Sequence, residues 1–265
     1  MGKSVVLFAI GNKDEQNRYA DIFRNEGIDV EFGLQFAFPR DVGLDHWKVD
    51  TNFTPHLKKV YDRAMDSCPD PDNAHYSYLD IEHTGFLWQT ASSGLSVLEQ
   101  KILIQMLSTA QRLYPTISHS YYNVPHLLRD NPIHKDPDTM AAMETTRRIV
   151  NKCDVLYPNF YPSDKILEGE EDVNAAKWQV QRMVQGIGWF TENVHNHLEL
   201  IPMFWPAWEG NIDYLYKFSL MGLELANPEI NKISLWANVT EDWRLNRQSY
   251  RIKQVLPYIK EWTNG

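Results

Sequence analysis

Seven apolar runs of strand length alternate with segments of helical period along this chain, and that alternation restricts its fold more than any other feature. The runs lie at 5–10, 28–34, 75–79, 116–122, 154–157, 198–205 and 232–236. Over 16–25, 55–66, 96–113, 139–151, 174–195, 212–225 and 243–262, apolar residues recur at the spacing of an amphipathic helix. Strand–helix alternation predicts parallel strands covered by helices. The runs at 5–10 and 198–204 are nearly unbroken, which suits strands buried on both faces. Such a sheet is either doubly wound or closed into a barrel. In the turn that follows the first run the only glycine is Gly11, so the glycine-rich phosphate turn of a nucleotide-binding doubly wound sheet has no support. The expectation is α/β: a TIM-like (β/α) barrel of seven strand–helix units. No Pro/Gly/Ser-rich linker divides the 265 residues, so one barrel domain is expected over 1–265.

In a barrel of this kind the active site forms where the strands end. The third run ends in Leu79-Asp80-Ile81-Glu82-His83. Residues i and i+2 of a strand share a face, with Cα atoms roughly 7 Å apart. Asp80 and Glu82 are therefore expected to face one pocket. Two carboxylates held close do not both ionise readily, so one is pushed toward acting as an acid. Glycoside hydrolysis uses such an arrangement. The competing reading is a solvated strand end carrying two surface acids.

The other strand ends are rich in aromatic and amide groups. They read Tyr121-Tyr122-Asn123, Tyr157-Pro158-Asn159-Phe160-Tyr161, Trp205-Pro206-Ala207-Trp208-Glu209 and Leu235-Trp236-Ala237-Asn238. A flat ring covers the apolar face of a sugar, so this end suits a glycan. The opposite end collects turns such as Pro69-Asp70-Pro71-Asp72-Asn73, which carry no aromatics. His83 is placed to hydrogen-bond a carboxylate, although a lone His commonly serves structure. Trp205 and Trp208 either line the cleft or plug the barrel mouth. Tyr157, ahead of Pro158, is expected in the core. Trp236 has two readings, sugar contact or a cap on the core.

Composition removes several function classes. The formal net charge of −9 repels phosphate backbones, so no nucleic acid is expected. No segment carries the ~20 apolar residues needed to cross a bilayer, so no membrane partner is expected. Cys68 and Cys153 lie far apart, and no His stands at zinc spacing from either. They read as two reduced, buried thiols, with a single bridge as the alternative. No metal and no cofactor is expected. The N-terminus runs straight into a short apolar strand, so no secretory leader is expected.

At this point the chain resembles a family. Asp80-Ile81-Glu82, Tyr122-Asn123-Val124-Pro125, Val155-Leu156-Tyr157-Pro158-Asn159-Phe160-Tyr161 and Ser234-Leu235-Trp236 fall in the order of the matching motifs in animal and venom hyaluronidases. The family's barrel has seven strand–helix units, the number counted above. The resemblance implies Glu82 as general acid and base. It implies Asp80 as the carboxylate that orients the substrate's acetamido group. Tyr122 and Tyr161 would bind the sugar at the cleavage site, and Trp236 would form the floor of the pocket. Glu209 stands where the family usually carries Asp. The nucleophile would be the substrate's own N-acetyl oxygen, with net retention, an exception to the two-carboxylate scheme.

The chain departs from the family in two ways. The family's disulfide cysteines are absent, and His83-Thr84-Gly85-Phe86-Leu87-Trp88 replaces its loop after the acid. Hyaluronan is a polyanion, and a chain at net −9 repels it unless the groove is locally basic. Arg40, Lys48 and Arg129 are the candidate groove cations. The expected partner is therefore a β-linked N-acetylhexosamine glycan of undetermined charge. Missing disulfides and leader lead to the expectation of cytoplasmic synthesis in a microbial or viral setting, followed by release or carriage on a virion. Two alternatives remain: a non-catalytic glycan-binding barrel, and a two-carboxylate glycosidase pairing Glu82 with Glu209.

Overall fold

The architecture comes from a computed structural model. It describes residues 2–10, 13–38, 47–81, 97–122, 147–158, 198–204, 229–238 and 242–265, with single helical positions at 181, 185 and 220. At 9–10, 237–238 and 242–251 the backbone alone is described. In chain order the elements are β1 (Ser4–Ile10), α1 (Lys13–Arg24), β2 (Asp29–Ala37), α2 (Thr54–Ser67), a 3-10 turn (Pro71–Asn73), β3 (Tyr76–Asp80) and α3 (Val97–Leu113). There follow β4 (Ser118–Tyr121), β5 (Val155–Leu156), β6 (Glu199–Leu200), β7 (Met203–Phe204), β8 (Lys232–Asn238) and α4 (Asp242–Asn264).

Six strands form one parallel sheet in the order β4-β3-β2-β1-β8-β7, and β5 pairs with β6. Further backbone bonds run between these groups. The Asp154 N–H donates to the His119 carbonyl at 2.9 Å, and Tyr122 bridges Tyr157 in parallel. The Ile201 and Met203 N–H groups donate to the Leu156 and Pro158 carbonyls at 2.9 and 2.8 Å. The result is a curled, barrel-like parallel sheet with helices outside, an α/β fold of the TIM type.

The strands are apolar on both faces because each face meets a different core. In β1, Val5 and Leu7 point outward to the helices, while Val6 and Phe8 point inward. The inner cluster also holds Tyr76, Tyr78, Tyr122, Val155, Tyr157, Ile201 and Met203, with Trp236 packed against it. The outer cluster takes one stripe from each helix: Tyr19, Ala20 and Phe23 from α1; Leu57, Val60 and Ala64 from α2; Ile102, Leu103, Met106, Leu107 and Ala110 from α3. In α4, Ile252, Val255, Ile259 and Trp262 continue the helical spacing. Removing one such ring, as in Phe23→Ala, costs about 3–5 kcal/mol by loss of contact and cavity formation. Helix α1 carries Asp14 and Glu15 in its first turn and Arg24 in its last, which complements its dipole. It is followed by Gly27 at φ 77°, a left-handed position that favours glycine.

All seven expected runs contain strand, with shifted ends. The run at 198–205 is divided, because Pro202 has no N–H to donate and interrupts the ladder between β6 and β7. The second strand continues past Leu34 to Ala37. Helices expected at 16–25, 55–66, 96–113 and 243–262 are present, each with slightly different ends. Those at 139–151, 174–195 and 212–225 lie largely outside the described residues. Cys68 and Cys153 are free and buried, as reduced thiols were expected to be. Burial pushes the Cys68 thiol to about 11 and the Cys153 thiol to about 12.

Candidate active site

Strand β3 delivers the first expected residue. Tyr76 and Tyr78 sit in the inner cluster, so the two-residue period brings Asp80 to the same inward face at the carboxyl end of the strand. Asp80 is only 6% exposed, which removes the reading of a solvated surface acid at this position. A carboxylate this buried needs a partner. Gln35 supplies one: its Nε2–H donates to Asp80 Oδ2 at 2.5 Å. Strands β2 and β3 are in parallel register with Ala37 beside Asp80 and Gln35 beside Tyr78, so Gln35 lies one step below the carboxylate.

The same Gln35 reaches the opposite way. Its Oε1 accepts the Trp236 indole N–H at 3.4 Å. Trp236 is half-buried, beside Phe8 in the β1–β8 register. Three residues on β2, β3 and β8 thus form one chain, Trp236 to Gln35 to Asp80. Beneath it lies an aromatic floor. The Phe8 ring meets Tyr78 edge-on at 4.8 Å and Tyr157 at 5.2 Å between centroids. It covers Gly33, where a Cβ would overlap the ring. Tyr122 is 7% exposed and packs 5.7 Å from Tyr78, which places it on the same inner face as Asp80. Tyr157 is fully buried, as the core reading expected. Burial raises its hydroxyl well above the ordinary tyrosine value, so it stays protonated.

The structure therefore brings together Asp80, Tyr122 and Trp236 from the expected set. Glu82, His83, Tyr161, Trp205 and Glu209 lie outside the described residues, as do Arg40 and Arg129; Lys48 is exposed. Gln35 is the residue that sequence reasoning missed. The alternating Leu34-Gln35-Phe36-Ala37-Phe38 segment carried its signal, because a period of two turns Gln35 inward with Gly33 and Ala37. Among the described residues no group of three His, Cys, Asp or Glu side chains is placed to hold a metal ion. Among them, too, no helix is long and apolar enough to cross a membrane.

The fold class is an α/β barrel-like scaffold with a buried carboxylate at the carboxyl ends of its strands. No protein-family model and no curated protein matches the chain. Solved structures do match. Bee venom hyaluronidase aligns at a TM-score of 0.62 over 97% of this chain and 100% of its own, with 13% identity. Bee venom hyaluronidase in complex with a hyaluronic acid tetramer aligns at 0.62 over 97% and 99%, with 12% identity. The chain is thus similar to a hyaluronidase in its fold from end to end.

Proposed function

We propose that this protein is a glycoside hydrolase that cleaves a β-linked N-acetylhexosamine glycan by a retaining, substrate-assisted route. The observation that carries the reading is Asp80, buried and inward-facing at a strand's carboxyl end and held by Gln35, with Tyr122 and Trp236 on the same face. The likeness in fold to bee venom hyaluronidase supports it. So do the backbone bonds joining β4 to β5 and β5 to the β6–β7 strand, which fit a closed barrel of seven strand–helix units.

In this reading Glu82 protonates the leaving glycosidic oxygen as the bond to C1 breaks. The substrate's acetamido oxygen attacks C1 from the other face and forms an oxazolinium ring. Asp80 accepts the acetamido N–H and stabilises the positive charge that develops there. Water then attacks C1, the ionised Glu82 takes its proton, and the ring reopens with retained configuration. Tyr122 and Tyr161 hold the sugar, Trp236 forms the floor, and His83, Trp205 and Glu209 complete the wall.

The test is incubation with hyaluronan, chondroitin, chitin oligomers and bacterial cell-wall glycans, read by mass spectrometry. Turnover is expected on a glycan containing N-acetylhexosamine, and Glu82→Gln should abolish it with the fold intact. Full turnover by Glu82→Gln would refute the assignment. Binding without turnover by the unmutated chain would favour a glycan-binding barrel. Good cleavage of a substrate lacking the acetamido group would favour a two-carboxylate enzyme using Glu82 and Glu209.

A further inference from the structure

We infer that Gln35 is a positioning residue that fixes the Asp80 carboxylate for acetamido recognition and ties its orientation to the Trp236 pocket floor. The role rests on the hydrolase reading above and adds to it a residue that the hyaluronidase-type motifs do not contain.

The argument begins with what each neighbour can do. The Trp236 indole N–H only donates a hydrogen bond, and an ionised Asp80 only accepts. A side chain joining the two must accept at one end and donate at the other. A carboxamide does this without adding charge, and Gln35 does it with Oε1 toward Trp236 at 3.4 Å and Nε2 toward Asp80 at 2.5 Å. The two partners also fix which end of the amide is which. Gln35 is itself only 8% exposed, so water is a poor substitute for either bond. A carboxylate in its place would set a second negative charge against Asp80. An alkyl side chain would leave a buried acceptor and a buried donor to find other partners. The bond to Oδ2 also sets the torsion of the carboxylate. That torsion decides where Oδ1 sits, the oxygen that meets the acetamido N–H in the hydrolase reading.

A catalytic group misplaced by about 1 Å can cost 10²-fold in rate while the rest of the site still binds. The effect should therefore appear in kcat and leave KM nearly unchanged. Gln35→Met keeps the length and volume of the side chain and deletes both bonds. Its kcat on the cleaved glycan is expected to fall about 10–100-fold, with KM within about threefold, by the same positioning argument. Gln35→Glu separates positioning from general damage. Once protonated, the introduced carboxyl group accepts from Trp236 through its carbonyl and donates to Asp80 through its hydroxyl, which restores the native pattern. Asp80 is the ionisable group hydrogen-bonded to this position among the described residues. The kcat deficit of Gln35→Glu relative to the unmutated chain should therefore be larger at pH 8 than at pH 5.

The outcomes are distinguishable. If the unmutated chain cleaves a glycan and Gln35→Met keeps kcat within twofold, the positioning role falls and the hydrolase reading stands. A rise in KM at constant kcat, or a Gln35→Glu deficit equal at both pH values, overturns it as well. If the unmutated chain cleaves none of the glycans, the hydrolase reading fails and the positioning role fails with it.

Discussion

The two ends of the strands handle buried charge in opposite ways. At the amino end, Lys232 on β8 sits 3.2 Å from Glu31 and 3.6 Å from Glu199, and its ammonium also bonds the Tyr76 hydroxyl. Tyr76 O–H donates to Glu199 at 3.0 Å, and Ser4 O–H donates to Glu31 at 3.0 Å. Burial opposes the charge on Lys232, but Tyr76, Glu199 and Glu31 outweigh it and hold the ammonium above its ordinary value. At the carboxyl end, Asp80 is held by a neutral amide. The first arrangement pairs opposite charges across the amino end of the sheet. The second orients a charge without cancelling it, as the proposed mechanism would require for a transition state developing positive charge. In the hydrolase reading one end serves stability and the other chemistry, and substitutions should separate the two.

Among the described residues the largest effect is expected from Asp80→Asn. It keeps the shape of the side chain and removes the charge that, in the hydrolase reading, faces the acetamido group. A loss on the order of 10²–10³-fold in kcat is expected, comparable to deleting a preorganised electrostatic contact. The melting temperature should stay within a few degrees of the unmutated chain. Kinetics and thermal denaturation on the same preparation check both halves, and unchanged kcat would erase the contrast between the ends. Gly33→Ala comes next and tests the floor between them. The added methyl overlaps the Phe8 ring, which is fixed by Tyr78 and Tyr157 and cannot swing away. Overpacking of this kind costs about 1–3 kcal/mol. Because Phe8 lies under the Gln35 chain, kcat should fall along with stability in chemical denaturation.

The position of Gln35 also shows why the fold was more legible than the site. Strands buried on both faces announce themselves by nearly unbroken apolar runs, so β1 and the run at 198–204 could be read directly. The second run is expected to end at Leu34, one residue before the polar Gln35. That polar residue is the one that grips Asp80. A strand that turns a polar group inward interrupts the apolar pattern that reveals it. Asp80 was recognisable because its apolar strand ends in a carboxylate. Its partner Gln35 was not, since the Gln35–Asp80 bond spans 45 residues of sequence and the Trp236–Gln35 bond 201. Pro202 hid a boundary in the opposite direction, by sitting inside a run that looked continuous.

Replacing the amino-end cation comes next in size. Lys232→Met leaves Glu31 and Glu199 facing each other without their shared counter-charge. Full burial would make this a loss of about 3–5 kcal/mol. The two carboxylates are 30% and 37% exposed, so solvent screening lowers the expected cost. About 1–2 kcal/mol is expected after that discount. Glycan cleavage should be unaffected, because the change lies at the far end of the strands. Loss of activity at temperatures where the variant is fully folded would show that the two ends are coupled.

The smallest effect comes from His119 on the outer side of β4, which belongs to neither end. Its Nε2 lies 3.1 Å from the Tyr114 carbonyl, which can only accept, so Nε2 carries the proton. Nδ1 then accepts the Ser77 hydroxyl at 2.6 Å, and the ring is held neutral. Burial lowers its pKa below the ordinary 6.5, against the opposing pull of the Tyr114 carbonyl and the Asp154 carboxylate, which accepts the His119 backbone N–H. A depressed value means that the unfolded chain takes up a proton first as pH falls. The stabilising contribution is therefore complete above about pH 6.5 and is lost as pH drops below it, toward the folded-state value. His119→Gln can keep the donor to Tyr114 without the titration. Melting curves between pH 7.5 and 5 should fall more steeply for the unmutated chain than for the variant. Parallel curves would mean that the acid sensitivity of this protein arises from its carboxylates, and so from the two strand ends rather than from the helix-covered face between them.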